Sequence, residues 1–489
     1  MVRTSWGEAI AIHDGKILEF GPEREILNKY RAETEINAQK KDVYPGLHDG
    51  HGHIMSYAAQ KLLVDLTGTE SYYEMLLRLE KFDTKNNPDF LVGRGWDQGL
   101  WGDSDLPDNK LLNERFPDKP VMLTRVDGHA VLVNDKALEL ANISSETAVE
   151  GGKIIIVDGK PTGIILDNAI DLIKVLIPEM DKILLKKAIQ EVQSELLAYG
   201  ITHVHEAGVS YEQFMLLDEM VNSGELILGI YAMLFPTIEN INFARNNGHY
   251  LHKNLSVRSF KMLMDGALGS RGACLLSHYS DMPGEYGFLL MSETDMLAHT
   301  KEALSLGYQV NSHCIGDSAN RLLLKHYDTL LANEVDHRWR IEHAQVVAAN
   351  DIELFSKSGV IPSIQPTHAV SDFRWAHNRL GEERLQTAYA YQTLLDERQM
   401  VILGTDFPVE DINPFATIFA ATTRKNTENE PSAGFMKHQG MSLENTMRGM
   451  TIWAAYGSFQ ENALGSLEKG KNATFVIFDQ PVRISQKLN

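Results

Sequence analysis

Short apolar runs rich in valine and isoleucine alternate along this chain with amphipathic, helix-like stretches, the rhythm of βα units around a parallel sheet. Eight such runs fall in order at 46–54, 201–208, 226–235, 257–266, 308–316, 338–346, 360–366 and 400–407. Eight is the number that closes a barrel, so the pattern predicts an α/β fold built on a (β/α)8 TIM-like barrel. Between the runs, "DSANRLLLKHYDTLLANE" opens on an Asp-Ser capping pair, and "NDIELFSKSG" opens on Asn350 and stops at Gly359. Both predict helices.

Two parts of the chain stand outside that rhythm. Residues from about 68 to 180 separate the first two runs by more than a βα connection needs, and they hold the strand-like "DFLVGRGWD" and "PVMLTRVDG". They predict an inserted subdomain. At the ends, "EAIAIHDGKILEFG" (8–21) and "GSLEKGKNATFVIFD" (465–479) read as β-hairpin pieces with glycine turns. These predict one small β-sandwich domain drawn from 1–45 and 460–489, around a barrel spanning 46–459.

Charge narrows the partners. With 46 basic and 66 acidic residues among 489, the formal charge of −20 argues against nucleic acid and anionic membrane and favours a small neutral or cationic substrate. Only Cys274 and Cys314 occur, so no disulfide framework is expected and a reducing, cytoplasmic setting is. The opening "MVRTSWGEAIAIHDGK" breaks too early for a signal peptide, and no apolar run has transmembrane length. A homodimer stays open.

The candidate chemistry begins at "GLHDGHGH". Pro45, Gly46, Gly50 and Gly52 disfavour a helix, and on a strand Asp49, His51 and His53 share one face while His48 takes the other. His51 and His53 can then hold a cation at a strand's C-terminal end, where barrel enzymes build their sites, or they are ordinary polar strand-end residues. Four other runs end in a similar group: Lys261 in "SFKMLMDG", His313 in "VNSHCIG", His343 in "RIEHAQ" and Asp406 in "LGTDFP". All six would converge on one mouth of the barrel. Taken singly, Lys261 reads as a solvated or paired lysine, His343 as a core histidine and Asp406 as a turn residue.

The set, in this order, resembles the metal-dependent amidohydrolase superfamily, in the branch that includes N-substituted formamide deformylase. The likeness is carried by "PGLHDGHGH", "KMLMDGALGSRGA", "HCIGDSANR", "RIEHAQ", "SIQPTH", "GTDFPVEDINP" and "LGSLEKGKNATFVIFD". Where that branch usually carries an Ala-Asp pair after the last "GK", Thr474 stands here, and only seven residues precede "EAIAIHDGK" where a first strand is expected. The resemblance implies that His51, His53, His313, His343 and Asp406 are metal ligands. It makes Lys261 a candidate for carboxylation to a carbamate bridging two ions. Imidazole-rich ligands favour Zn, as one or two ions, with Mn, Fe or Co compatible. Such an ion brings the pKa of its water toward ~7 and polarises a carbonyl, and Asp406 would carry the proton to a leaving nitrogen. The implied reaction is hydrolysis of a non-peptide carbon–nitrogen bond of amide or formamide type.

Other residues point to a pocket. Trp96 and Asp97 in "GRGWDQGLWG", with Asp127 and His129 in "RVDGHA", lie in the insert, which can reach over the mouth as a lid. Arg271 in "GALGSRGA" is placed to grip a carboxylate or carbonyl oxygen. Alternatively Trp96 is core and Arg271 a surface ion pair. Competing functions are hydrolysis of a cyclic amide, ester or lactone, ring deamination, and a barrel that binds without catalysis. Deamination is disfavoured, because "HCIGDS" lacks the glutamate that ring deaminases place after this histidine. Complete retention of the ligand set argues against the non-catalytic barrel. His203, His205 and Glu206 receive no role, and Cys314 is read as core.

Overall fold

In the eight apolar runs the computed structural model has parallel strands: β1 Leu47–Gly52, β2 Ile201–Val209, β3 Gly229–Leu234, β4 Leu255–Leu263, β5 Gln309–Cys314, β6 Arg340–His343, β7 Ile361–Ile364 and β8 Ile402–Leu403. Residues 8–102, 106–480 and 482 are described. Each strand pairs with the next, from β1 through to β8, with the short strand Tyr250–His252 antiparallel on β4. The result is a TIM-like barrel.

The seam between β8 and β1 closes through individual contacts. Asp406 N donates to His51 O at 2.8 Å, and His53 N to Phe407 O at 2.9 Å. Thr405 reaches across to the Asp49 carboxylate with its amide at 3.0 Å and its hydroxyl at 2.6 Å. Glycine is required here: a Cβ on Gly50 would fall 2.7 Å from Leu403 O, and one on Gly404 2.4 Å from His51 N. Substitution at either position would push the seam apart.

Outward residues such as Val204, Ile230, Val257, Val310 and Ile341 join the apolar layer under the helices. The bore is polar. Arg340 Nη2 donates to Glu342 at 3.0 Å, to Gly50 O at 2.7 Å and to Ser363 at 2.9 Å, and Nη1 meets His205 Nδ1 at 2.9 Å. His48, expected to face out, belongs to this layer: it is 1% exposed and stacks on His203 with ring centroids 4.5 Å apart. The β1–β2 register slips between Ile201 and His203 and again between Val204 and Glu206, so strict two-residue alternation fails on β1. Glu206 also acquires a role, accepting from the Ile54 and Met55 amides at 2.5 and 3.1 Å to cap the helix Ile54–Gln60.

The expected helices form, with different starts. Asp317 begins a helix to Leu330, but its carboxylate accepts from Leu276 N at 2.8 Å rather than capping that helix. A 3₁₀ turn at Ala349–Asp351 precedes the helix Leu354–Ser358, which Gly359 ends at φ 73°. Glycine tolerates that left-handed conformation.

A second, six-stranded sheet lies between β1 and β2. Its order is Val64–Asp65, Leu91–Trp96, Val121–Arg125, Ala130–Val133, Lys160–Asp167 and Gly152–Val157. Both strand-like segments of the insert are in it. At the chain ends, Ala9–His13 pairs with Lys16–Gly21, while Phe475–Ile477 pairs antiparallel with Val43–Pro45. Residues 465–479 therefore supply one strand to a distant partner and not a hairpin of their own. A Lys16–Asn472 bridge links the two pairs. The small-domain ranges 1–45 and 460–489 include residues 1–7, 481 and 483–489, which lie outside the described residues. Among the described residues, no helix is long and apolar enough to cross a membrane.

Candidate metal centre

All six groups named at the strand ends meet at the C-terminal mouth of the barrel. Ligand-type atoms of His51, His343 and Asp406 lie within 4.8 Å of one another. Asp406 Oδ1 is 3.0 Å from His53 Nε2 and 3.5 Å from His51 Nε2, and Lys261 Nζ is 3.3 Å from His51 Nε2. The His313 ring packs on His343 with centroids 4.6 Å apart.

Local backbone geometry makes this convergence possible. His53 leaves β1 as the N-cap of the following helix, and so turns toward the mouth. Alternation would send His343 outward, since its neighbour Glu342 already faces the bore. Instead His343 has φ 73° and Asp406 φ 63°, left-handed conformations that are costly for these residues. Each turns a side chain toward the shared centre.

Neighbouring groups fix the ring tautomers. His51 Nδ1 donates to the Glu342 carboxylate, and His343 Nδ1 donates to Gln365 Oε1 at 2.7 Å. Both leave Nε2 as a lone-pair donor. Burial pushes the His51 pKa down to about 4, with Lys261 adding to the effect. Burial likewise holds His313 and His343 well below the usual imidazole range. For Asp406 burial works upward, but His51, His368 and His53 outweigh it and hold the carboxyl well below its usual value. Lys261 is lowered to about 8, by burial first, against the opposing pull of Glu342 and Asp406. Neutral imidazoles, an anionic carboxylate and a readily deprotonated amine form a donor set suited to a divalent cation. His313 Nε2 supports that fit: it is buried and has no hydrogen-bond partner among the described residues. A buried orphan nitrogen is costly unless something binds it.

A profile described as "Amidohydrolase family" matches residues 34–487. The chain belongs to the amidohydrolase family. This amidohydrolase is 30% identical over 492 residues to Protein LONG AFTER FAR-RED 3 of Arabidopsis thaliana, covering 96% of this chain and 84% of that protein. It is 23% identical over 501 residues to N-substituted formamide deformylase of Arthrobacter pascens, covering 98% and 91%. Among solved structures, an uncharacterized metal-dependent hydrolase from Pyrococcus horikoshii OT3 superposes with TM-score 0.77 at 28% identity, covering 96% and 93%.

In this amidohydrolase the inserted sheet and the barrel mouth share a cavity of about 870 Å³. Asp97, Asp127 and His129 line it; Trp96 and Arg271 do not. Trp96 is fully buried in the insert's core and donates from Nε1 to Leu123 O at 2.7 Å. Arg271 pairs with Asp281 at 3.1 Å. Asp97 and Asp127 both bind Arg125, each at 2.6 Å. His129 comes closest to the centre, with its ring 5.0 Å from that of His313 and its Nδ1 bound to Asp167 Oδ1 at 2.6 Å.

Sequence reasoning passed over Glu342, His368 and Arg94. Glu342 stands in "RIEHAQ" directly before His343, and its role follows only from its contact with the distant His51. His368 closes "SIQPTH" and contacts Asp406 Oδ2 at 3.1 Å and Glu410 Oε1 at 3.1 Å. It reaches the mouth from the helix Pro366–Ser371, whose Pro366 marks the turn that ends β7.

Proposed function

We propose that this amidohydrolase is a metal-dependent hydrolase of a non-peptide carbon–nitrogen bond in an amide or formamide-type substrate. The observation that carries the reading is the convergence of His51, His53, Lys261, His313, His343 and Asp406 on one mouth of the barrel, all but the part-buried His53 being buried. The named formamide deformylase and metal-dependent hydrolase relatives support it.

His51, His53, His313, His343 and Asp406 would hold one or two divalent ions, zinc by preference, with Lys261 as a carbamate bridge. The low-lying amine of Lys261 suits carboxylation, because only a neutral amine adds to CO2. A bound ion would supply Lewis-acid polarisation of the carbonyl and acidify water toward ~7. Water adds to the carbonyl carbon, and Asp406 takes its proton on a carboxylate oxygen. The C–N bond then breaks as Asp406 returns that proton to the departing nitrogen, leaving a carboxylic acid and an amine. His368, on the second oxygen of Asp406, keeps the carboxylate oriented through the transfer.

A screen of formamides, N-acyl amino acids and lactones with the zinc-loaded protein tests this reading, with Asp406→Asn as control. The expected result is amide or formamide hydrolysis that disappears on chelation, returns with zinc, and is nearly absent in a variant that keeps most of its metal. Turnover of lactones alone would overturn the carbon–nitrogen assignment. Parental rates in Asp406→Asn would overturn the proton shuttle.

A further inference from the structure

Five arginine and lysine side chains line the cavity: Arg94, Arg125, Lys174, Lys261 and Arg374. Arg125 is saturated by Asp97, Asp127 and, at 2.9 Å, Gln98. Lys174 pairs with Asp171 at 3.4 Å, and Arg374 with Glu430 at 2.6 Å. Lys261 belongs to the candidate metal centre. For Arg94 no carboxylate lies within ion-pair distance among the described residues. Its Nη2 donates to Val126 O at 3.4 Å, the long end of the hydrogen-bond range, and its buried Nε has no hydrogen-bond partner among the described residues.

The position of Arg94 is built. It stands on the insert strand Leu91–Trp96, beside the Arg125 strand, with the turn at Gly128 folded over its guanidinium. A Cβ on Gly128 would come within 3.3 Å of Nη2, and Gly128 has φ 78°, so this turn favours glycine on both counts. The carboxylates whose charge reaches Arg94 are Asp127 and Asp406, and both have other partners: Asp127 pairs with Arg125, and Asp406 with His53 and His368. The other acidic groups of the cavity wall are engaged as well. Asp167 is held by His129, Glu410 by His368 and Ser371, and Asp372 by Tyr389 and Gln345. A guanidinium has five N–H donors in a planar fork; here the Nε donor is buried without a hydrogen-bond partner among the described residues, while the part-buried fork borders the cavity and can meet a planar acceptor there.

We propose that Arg94 recognises a carboxylate on the substrate, so that the bond this hydrolase cleaves belongs to an amide that also carries a carboxylate group. The inference rests on the hydrolase reading above and names its substrate class. A carboxylate presents two coplanar oxygens to the fork. A phosphate dianion matches the wall less well, because Asp127 and Asp406 border the same space. The overall charge of −20 favours a neutral or cationic substrate at a distance. The open guanidinium reverses that preference locally, inside the cavity.

The test uses N-formyl and N-acetyl derivatives of leucine, methionine, phenylalanine and β-alanine, each compared with its C-terminal carboxamide, which removes the charge and keeps the shape. Binding by calorimetry and turnover are measured on zinc-loaded parent, Arg94→Met and Arg94→Lys, with zinc content determined for each. The expected result is a preference for acid over carboxamide of about 100-fold in the parent, collapsing in Arg94→Met and partly kept in Arg94→Lys at unchanged zinc content. A parent that treats acid and carboxamide alike, or an acid preference that survives in Arg94→Met, overturns the proposal. If Arg94→Met fails to fold, the parent's own ratio and Arg94→Lys decide. Arg94-dependent acid binding without turnover would sustain the carboxylate site while sinking the hydrolase reading. Turnover of carboxamides with no preference for acids would do the reverse.

Discussion

The barrel mouth and the inserted sheet carry the same kinds of side chain and use them in opposite ways. At the mouth, His51 and His53 from the end of β1 and Lys261, His313, His343 and Asp406 from four further strand ends aim at one point, leaving the buried Nε2 of His313 with no hydrogen-bond partner among the described residues. In the insert, Asp97, Arg125 and Asp127 come from neighbouring positions and neutralise one another at 2.6 Å. Residue type alone therefore says little. What separates a site from a salt-bridge cluster is whether the groups satisfy each other or are held apart with capacity to spare.

That contrast can be broken by mutation at either end. The largest expected effect is on catalysis: Asp406→Asn should lower kcat about 1,000- to 10,000-fold, the range of a lost acid–base group, with most of the metal retained. A steady-state assay with parallel metal analysis checks it. Next comes Arg125→Met in the insert, which strands two carboxylates and should destabilise the protein by about 3–5 kcal/mol, read as a lower denaturation midpoint. A midpoint equal to the parent's would mean that the cluster is solvated and contributes no net stability.

Third, Glu342→Gln weakens the partner that orients His51, and zinc affinity should fall about 10- to 100-fold, measured by competition with a chelator. Unchanged affinity would show that His51 needs no such support. Smallest is Trp96→Phe. It loses one buried hydrogen bond and some ring volume, so a stability loss of about 1–2 kcal/mol is expected. The Michaelis constant should not move, and a change there would return Trp96 to the cavity wall.

The same contrast explains what was legible in the chain. All eight barrel strands could be placed because a buried parallel strand is a run of apolar residues between turns, and the six centre residues because each sits at the end of such a run. His48 misled because alternation assumes an unbroken register, and the β1–β2 register slips twice. His343 is the converse case: strict parity would have lost it, and its left-handed φ restores it to the mouth. Trp96, Arg271 and Arg94 lay in segments whose packing depends on contacts distant in sequence. "GRGWD" carries no local signal that Trp96 is covered by Leu123 while Arg94 lies open. Glu342 and His368 stand within "RIEHAQ" and "SIQPTH", yet their partners His51 and Asp406 are far away along the chain.

The central claim is that six strand-end residues form one divalent-metal centre. Zinc titration of chelator-stripped protein tests it most directly, with bound zinc per chain measured after dialysis for the parent and for His313→Ala and His51→Ala. The account predicts one or two zinc ions retained by the parent, and markedly weaker retention in both variants while the fold is kept. A parent that retains no zinc, or variants that bind it as tightly as the parent does, would contradict the account.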